Sequence, residues 1–160
     1  MELKIVPIKK PDDVNIIIGQ AHFIKTVEDI HELMVTSIPG ITFGLAFCEA
    51  SGSRLIRTSG TDNHLIDIAQ KNASAVGAGH AFYLVLKGSY PINVLPRLKQ
   101  VPEVVSIYCA TANDVSIVVA VTKSGRAILG VVDGASPLGV EGAREKKERV
   151  RFLRKIGYKL

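Results

Sequence analysis

Residues 104–133 read VVSIYCATANDVSIVVAVTKSGRAILGVVD, and this stretch decides the fold. Apolar and β-branched residues fill 104–110, 115–122 and 126–132, each run the length of one strand. Ser124-Gly125 makes a short hairpin turn between the last two runs. Strands this close pair locally, which argues against a regular parallel β-α repeat. Upstream, residues 81–86 (AFYLVL) are apolar on both parities, as in a strand covered on both faces. Between them lies Tyr90-Pro91-Ile92-Asn93. With Asn93 as N-cap, Pro96 falls in the first helical turn and costs no hydrogen bond, and the helix runs to about Val101. Downstream, residues 141–156 form an amphipathic helix with Val150, Leu153 and Ile156 inward.

The first half of the chain follows the same logic. Residues 2–8 and 14–18 are strands separated by the turn Pro11-Asp12-Asp13. Thr26 and Asp29 resemble a capping box, and Val27, Ile30, Leu33, Met34 and Ile38 repeat at helical spacing until Pro39-Gly40. Strands 41–48 and 54–58 flank the turn Ala50-Ser51-Gly52-Ser53. Thr61 or Asp62 caps a second helix, whose apolar side is Leu65, Ile66, Ala69, Ala73 and Val76. The predicted order is ββα–ββα–βα–βββα: a single α/β domain over residues 1–160, a mixed sheet with hairpins and packed helices.

Composition narrows the function. Apolar residues make up 47% and charged residues 22%, which excludes a disordered chain. No apolar run approaches the roughly 18–20 residues that span a bilayer, and the start MELKIVPIKKP lacks a signal-peptide core. Cys48 and Cys109 supply neither a disulfide framework nor a four-ligand zinc set. A soluble, cytoplasmic protein is expected. The net charge of +5 is uneven, because residues 144–160 alone carry +6 and the rest −1. A solvated helix face is the expected meaning. An RNA-binding helix is less favoured, since no aromatic platform accompanies it.

Several stretches carry chemistry. Gly77-Ala78-Gly79-His80 joins a helix to a buried strand. Gly77 suits a left-handed C-cap, while Gly79 lets backbone amides approach a ligand as an anion nest. His80 is either a structural histidine beside that cap or a nucleophile toward phosphorus. In Cys48-Glu49-Ala50-Ser51-Gly52, Glu49 suits a general base, and Ser51 with Gly52 suits a phosphate or ribose, although Ser-Gly is also a common turn. Asn113 is a turn former or a reader of a heterocyclic base. Asp133 is a strand-terminal acid, suited to a general base, a Mg²⁺ ligand or a simple Asp-Gly turn. No His-x-x-x-His or Cys-x-x-Cys spacing exists, so no dedicated metal site is expected. Neither a Walker A loop nor a kinase Gly-rich loop with its lysine is present.

FCEASG, GAGHAF, YPIN, CATAN, GVVDG and the terminal RFLRKIGYK, in that order, resemble the small prokaryotic family of adenosine-specific kinases. The resemblance runs from about residue 14 to the end. It implies a compact α/β protein, a homotrimer, that binds adenosine or AMP and carries phosphate on His80. It implies further that Glu49, Ser51 and Gly52 belong to the site, that Gly77 and Gly79 face phosphate, and that Asn113 and Asp133 take part. The expected reaction is phosphoryl transfer to the 5′-hydroxyl of adenosine, with ATP as donor, Mg²⁺ as an optional helper, and Glu49 or Asp133 as base. The alternative is a non-catalytic adenine-nucleotide sensor with a regulatory phosphohistidine.

Overall fold

A computed structural model describes all residues from Met1 to Leu160. The strands are β1 (Glu2–Pro7), β2 (Val14–Ala21), β3 (Thr42–Cys48), β4 (Ile56–Gly60), β5 (Ala81–Lys87), β6 (Val104–Thr111), β7 (Val115–Val121) and β8 (Arg126–Asp133). The helices are α1 (Thr26–Ser37), α2 (Asn63–Val76), α3 (Pro91–Leu98) and α4 (Ala143–Lys155). The order of strands and helices is the one read from the sequence.

The pairing divides the strands into a five-stranded sheet, β4-β3-β5-β2-β6, and a three-stranded sheet, β1-β7-β8. Neighbours are antiparallel throughout, where the sequence suggested one mixed sheet. The reason lies in the crossovers. Helix α1 joins β2 to β3, which run the same way with β5 inserted antiparallel between them. Helix α3 does the same for β5 and β6 around β2.

Both faces of the larger sheet are covered. Ile17, Phe43, Leu45, Phe82 and Leu84 meet α1 and α3 through Ile30, Met34, Val94 and Leu98. Ile16, Ile18, Tyr83 and Val85 point the other way, toward Leu65, Ala69 and Ala73 of α2 and Ile117 and Val119 of β7. This is why β5 is apolar on both parities. Helix α2 lies so close to β3 that a Cβ on Gly44 would stand 2.2 Å from the Leu65 carbonyl carbon.

Four local expectations change. Strand β2 continues past Gly19, because a residue without a Cβ admits the Phe82 ring, 2.5 Å from where that Cβ would be. Strand β4 starts at Ile56 rather than at Arg54, whose φ of 51° is left-handed. Helix α3 starts at Pro91, whose fixed φ suits the first helical position, and Asn93 sits inside it, its Oδ1 accepting the Tyr90 N–H at 2.9 Å. The stripe of α4 is not inward: no residue of α4 is buried in the chain. The segment before it runs over solvent, with Leu138 and Val140 fully exposed, so it carries the helix away from the core.

Candidate active site

One end of the five-stranded sheet collects the turns β2–α1, β3–β4 and α2–β5. His80 stands among them, held by its backbone: its N–H donates to the Cys48 carbonyl at 2.7 Å, and its own carbonyl accepts the Ala21 N–H at 2.9 Å. The imidazole lies flat on the buried Phe47 ring, with centroids 5.9 Å apart and planes at 10°. Neither ring nitrogen bonds to a protein atom. His31 differs, since its Nδ1 is paired with Ser59 Oγ at 2.7 Å. His22 and His64 are simply exposed.

Three residues other than glycine have left-handed backbones, Phe23 (φ 81°), Arg54 (φ 51°) and His80 (φ 60°). Each sits in one of those three turns. For a side-chain-bearing residue this conformation costs about 1–3 kcal/mol, and such strain gathers where a site over-determines its own geometry.

Glu49 is positioned from β4. Arg57 lies across the strand pair from Phe47, and its Nη1 donates to Glu49 Oε1 at 3.2 Å. The same guanidinium bonds the Ile24 carbonyl and Glu28, tying the first turn of α1 to Glu49. Beside this, Glu103 is 3% exposed and pairs through Oε1 with Lys25 Nζ at 2.5 Å. Asp29 and then Glu103 hold the Lys25 ammonium up at about 12. Neither Arg57 nor Glu103 stands out in the sequence; strand pairing and burial reveal them.

A cleft of about 740 Å³ opens on the α2 face of this end, walled by Glu49, Arg54, Ser74, Gly79, Ser124 and Arg126; the His80 imidazole, stacked on Phe47, does not line it. Ser51 and Gly52 form the turn that brings Ser53 and Arg54 to it; the Ser51 carbonyl accepts the Arg54 N–H at 3.1 Å. Gly77 has φ 64° and donates its N–H to Ala73 at 2.8 Å, so it is the C-cap of α2. Gly79 lets two turns approach: a Cβ there would stand 3.0 Å from that of Ala50. With the N–H groups of Gly77 and His80 committed, only those of Ala78 and Gly79 remain for an anion. The nest expected from the sequence is reduced to these two amides.

Asn113 and Asp133 lie elsewhere. Asp133 Oδ1 accepts from Thr111 Oγ1 at 2.8 Å and from Asn113 Nδ2 at 3.0 Å. Thr111 pairs with Ile16, at the opposite end of β2 from Ala21 and His80. Five residues of strand put these groups about 16 Å apart. The register of β8 explains this: Asp133 faces Val115, and it is Arg126, at the other end of β8, that reaches the cleft. Thus His80, Glu49, Ser51, Gly52, Gly77 and Gly79 gather, while Asn113 and Asp133 do not join them within one chain.

Cys48 reaches the cleft wall but is buried, and burial pushes its thiol up to about 11. That suits a packed side chain and not a nucleophile. No group of three or more His, Cys, Asp or Glu side chains converges on a metal-sized site. No helix is long and apolar enough to cross a membrane.

The model of the family described as "Adenosine specific kinase" matches residues 6–159. The crystal structure of the PH1918 protein from Pyrococcus horikoshii OT3 is similar along its length: TM-score 0.96 and 44% identity, covering 99% of this chain and 98% of that one. No curated protein matches.

Proposed function

The chain belongs to the family of adenosine-specific kinases, and from that premise we propose that it phosphorylates the 5′-hydroxyl of adenosine by way of phosphorylated His80. The observation that carries the reading is the state of the His80 side chain. Its ring face and backbone are fixed, yet both ring nitrogens are free. A neutral imidazole in that state offers a lone pair to phosphorus.

Two displacements complete the transfer. In the first, an imidazole nitrogen attacks the terminal phosphorus of ATP. The P–N bond forms, the P–O anhydride bond breaks, and ADP leaves with the electron pair. In the second, the adenosine 5′-oxygen attacks, the P–O bond forms and the P–N bond breaks. Glu49 takes the hydroxyl proton, its orientation fixed by Arg57. Catalysis rests on positioning and charge stabilisation. No cluster of carboxylates converges on a metal site, so Mg²⁺ would be held by the donor's own phosphate oxygens and would neutralise charge on the phosphate chain.

Asn113 supports base selection. One of its two amide N–H groups is spent on Asp133, which leaves Oδ1 to accept from the adenine amino group and the second N–H to donate to a ring nitrogen beside it. Guanine presents an acceptor in that place. Asn113 and Asp133 meet His80 only if a neighbouring chain supplies them, which favours an oligomer as the working form; the family resemblance implies a homotrimer. The exposed stripe of α4 and the outward apolar face of the three-stranded sheet (Leu3, Ile5, Leu129) have no cover within the chain. Two free buried thiols suit a reducing cytoplasm.

Calorimetric titration with adenosine and guanosine tests the reading. Adenosine binds more tightly, by about 1–3 kcal/mol for each buried polar group that the wrong base leaves unpaired. Equal affinities would remove the adenosine assignment.

A further inference from the structure

At the end of the sheet away from His80, a cavity of about 490 Å³ lies between the turn that follows β1 and the turn that follows β5. Two contacts tie these turns together. Asn15 Nδ2 donates to the Ser89 carbonyl at 2.8 Å, and Lys87 Nζ pairs with Asp13 Oδ2 at 2.8 Å. Gly88, with φ 70°, bends the chain between Lys87 and Ser89. The wall also includes Ala112, the residue before Asn113, and Asn15 precedes Ile16, the strand partner of Thr111. The cavity therefore adjoins the Thr111–Asp133–Asn113 network without being part of it.

Unlike that network, the cavity wall has polar atoms with nothing to bond. Ser89 is 9% exposed, and its Oγ is buried without a hydrogen-bond partner. A buried hydroxyl left unpaired is costly, and such a group points to a partner from outside the chain. Asn15 is 7% exposed, and its amide is only half used: Nδ2 serves Ser89, while Oδ1 accepts from no group in the chain. Asp12, on the same wall, makes no ion pair or side-chain hydrogen bond.

These groups identify the class of ligand. No arginine lines the cavity, and its one lining cation, Lys87, is already paired with Asp13. Lys10, nearby, donates its Nζ to the Ala112 carbonyl at 2.8 Å. A phosphate finds no unspent cation on this wall. What remains is two acceptors, the Asp12 carboxylate and Asn15 Oδ1, and one hydroxyl that can donate or accept, Ser89 Oγ. Neighbouring hydroxyls on an uncharged carbon framework answer that set, since each gives a proton to an acceptor and takes a bond on its oxygen. An acid on a ribose hydroxyl is a recurrent way for proteins to hold a nucleoside sugar.

We infer that this cavity binds the ribose of the acceptor nucleoside, with Asp12 and Asn15 accepting from its 2′- and 3′-hydroxyls and Ser89 bonding one of them. The inference rests on the proposed adenosine specificity, in which the adjoining Asn113 amide reads the base. It assigns sugar and base to the same end of one chain and leaves the 5′-oxygen free for a neighbouring chain.

Calorimetry on the full-length protein with adenosine, 2′-deoxyadenosine, 3′-deoxyadenosine and ATP tests this. Wild-type protein binds each deoxynucleoside about tenfold more weakly than adenosine, the effect of one hydrogen bond to a buried or charged group. Ser89→Ala removes a hydroxyl that has no partner in the chain, so its Tm does not fall, yet it binds adenosine about fivefold more weakly. Asp12→Asn, at an exposed position, weakens adenosine about tenfold. It also narrows the gap to at least one deoxynucleoside, because a bond already lost cannot be lost again. Unchanged adenosine affinity in both variants overturns the inference. So does wild-type protein that binds all three nucleosides equally, or variants that lose ATP and keep adenosine. The two readings fail separately. Label on His80 with adenosine binding indifferent to Ser89 and Asp12 refutes the ribose site alone. Sugar-dependent binding that needs Ser89 and Asp12, with no label on His80, refutes the phosphohistidine alone.

Discussion

The two ends of the five-stranded sheet carry sequence motifs of equal prominence, and their physical states are opposite. Around Asn113 the polar groups satisfy one another: Asp133 Oδ1 takes two donors, and the Asn113 N–H reaches Thr111 Oγ1 at 3.0 Å. At the His80 end, both imidazole nitrogens, the Arg54 guanidinium and the Ser53 and Ser74 hydroxyls have no partner, and three side-chain-bearing residues sit in left-handed turns. The first is a nearly closed network that presents only the remaining N–H and the Oδ1 of one amide. The second holds unspent hydrogen-bonding capacity and backbone strain, the condition of a site built for something outside the chain.

The sharpest way to break this comparison is to keep the two ends from meeting. Because no α4 residue is buried, removing residues 141–160 leaves the circular dichroism of the folded body intact. On our reading it dissociates the oligomer and abolishes adenosine phosphorylation. A truncated protein that stays assembled, or a monomer that keeps full activity, puts Asn113 and the α4 stripe outside the mechanism. Light scattering and a product assay decide between them.

A smaller effect separates positioning from binding at the His80 end. Arg57→Ala frees Glu49 from its fork, and a misplaced base lowers kcat by as much as about a hundredfold with KM for adenosine little changed. Arg57→Lys restores little, because an ammonium cannot hold Glu49, Glu28 and the Ile24 carbonyl in one plane. A rise in KM with kcat untouched would make Arg57 a binding residue.

The smallest effect concerns the rival nucleophile at that end. Cys48 and Cys109 are raised by burial from 9.0 to about 11. An unfolded thiol loses its proton first, so the folded state's advantage is whole below pH 9.0 and disappears as the pH climbs to about 11. Tm therefore falls across that window, and iodoacetamide leaves both thiols unmodified in the native protein at pH 8. Rapid native alkylation of Cys48 would reopen its candidacy.

Much of this was legible in the sequence, for identifiable reasons. Period and punctuation located every strand and helix to within a few residues, since Ser124-Gly125 and Pro39-Gly40 act locally, although α3 begins at Pro91 and not after Asn93. Sheet partners were not legible, because the insertion of β5 between β2 and β3 depends on which apolar faces cover one another. The same limit hid the distance between Asp133 and His80, which is set by the register of β8. The stripe on α4 was visible as Val150, Leu153 and Ile156, but a stripe does not state what covers it. Gly77 and Gly79 were visible as glycines, though not that one N–H is spent on Ala73 and that the other glycine admits Ala50. Arg54 left no signal, since a left-handed arginine looks like any other in sequence.

The central claim is that phosphate resides on His80. Intact-mass measurement of the purified protein after incubation with ATP tests it most directly. The account predicts one added phosphoryl group that is lost in acid, survives in base, is discharged by adenosine and is absent from His80→Ala. An unchanged mass in the wild type, or an equal gain in His80→Ala, would contradict it.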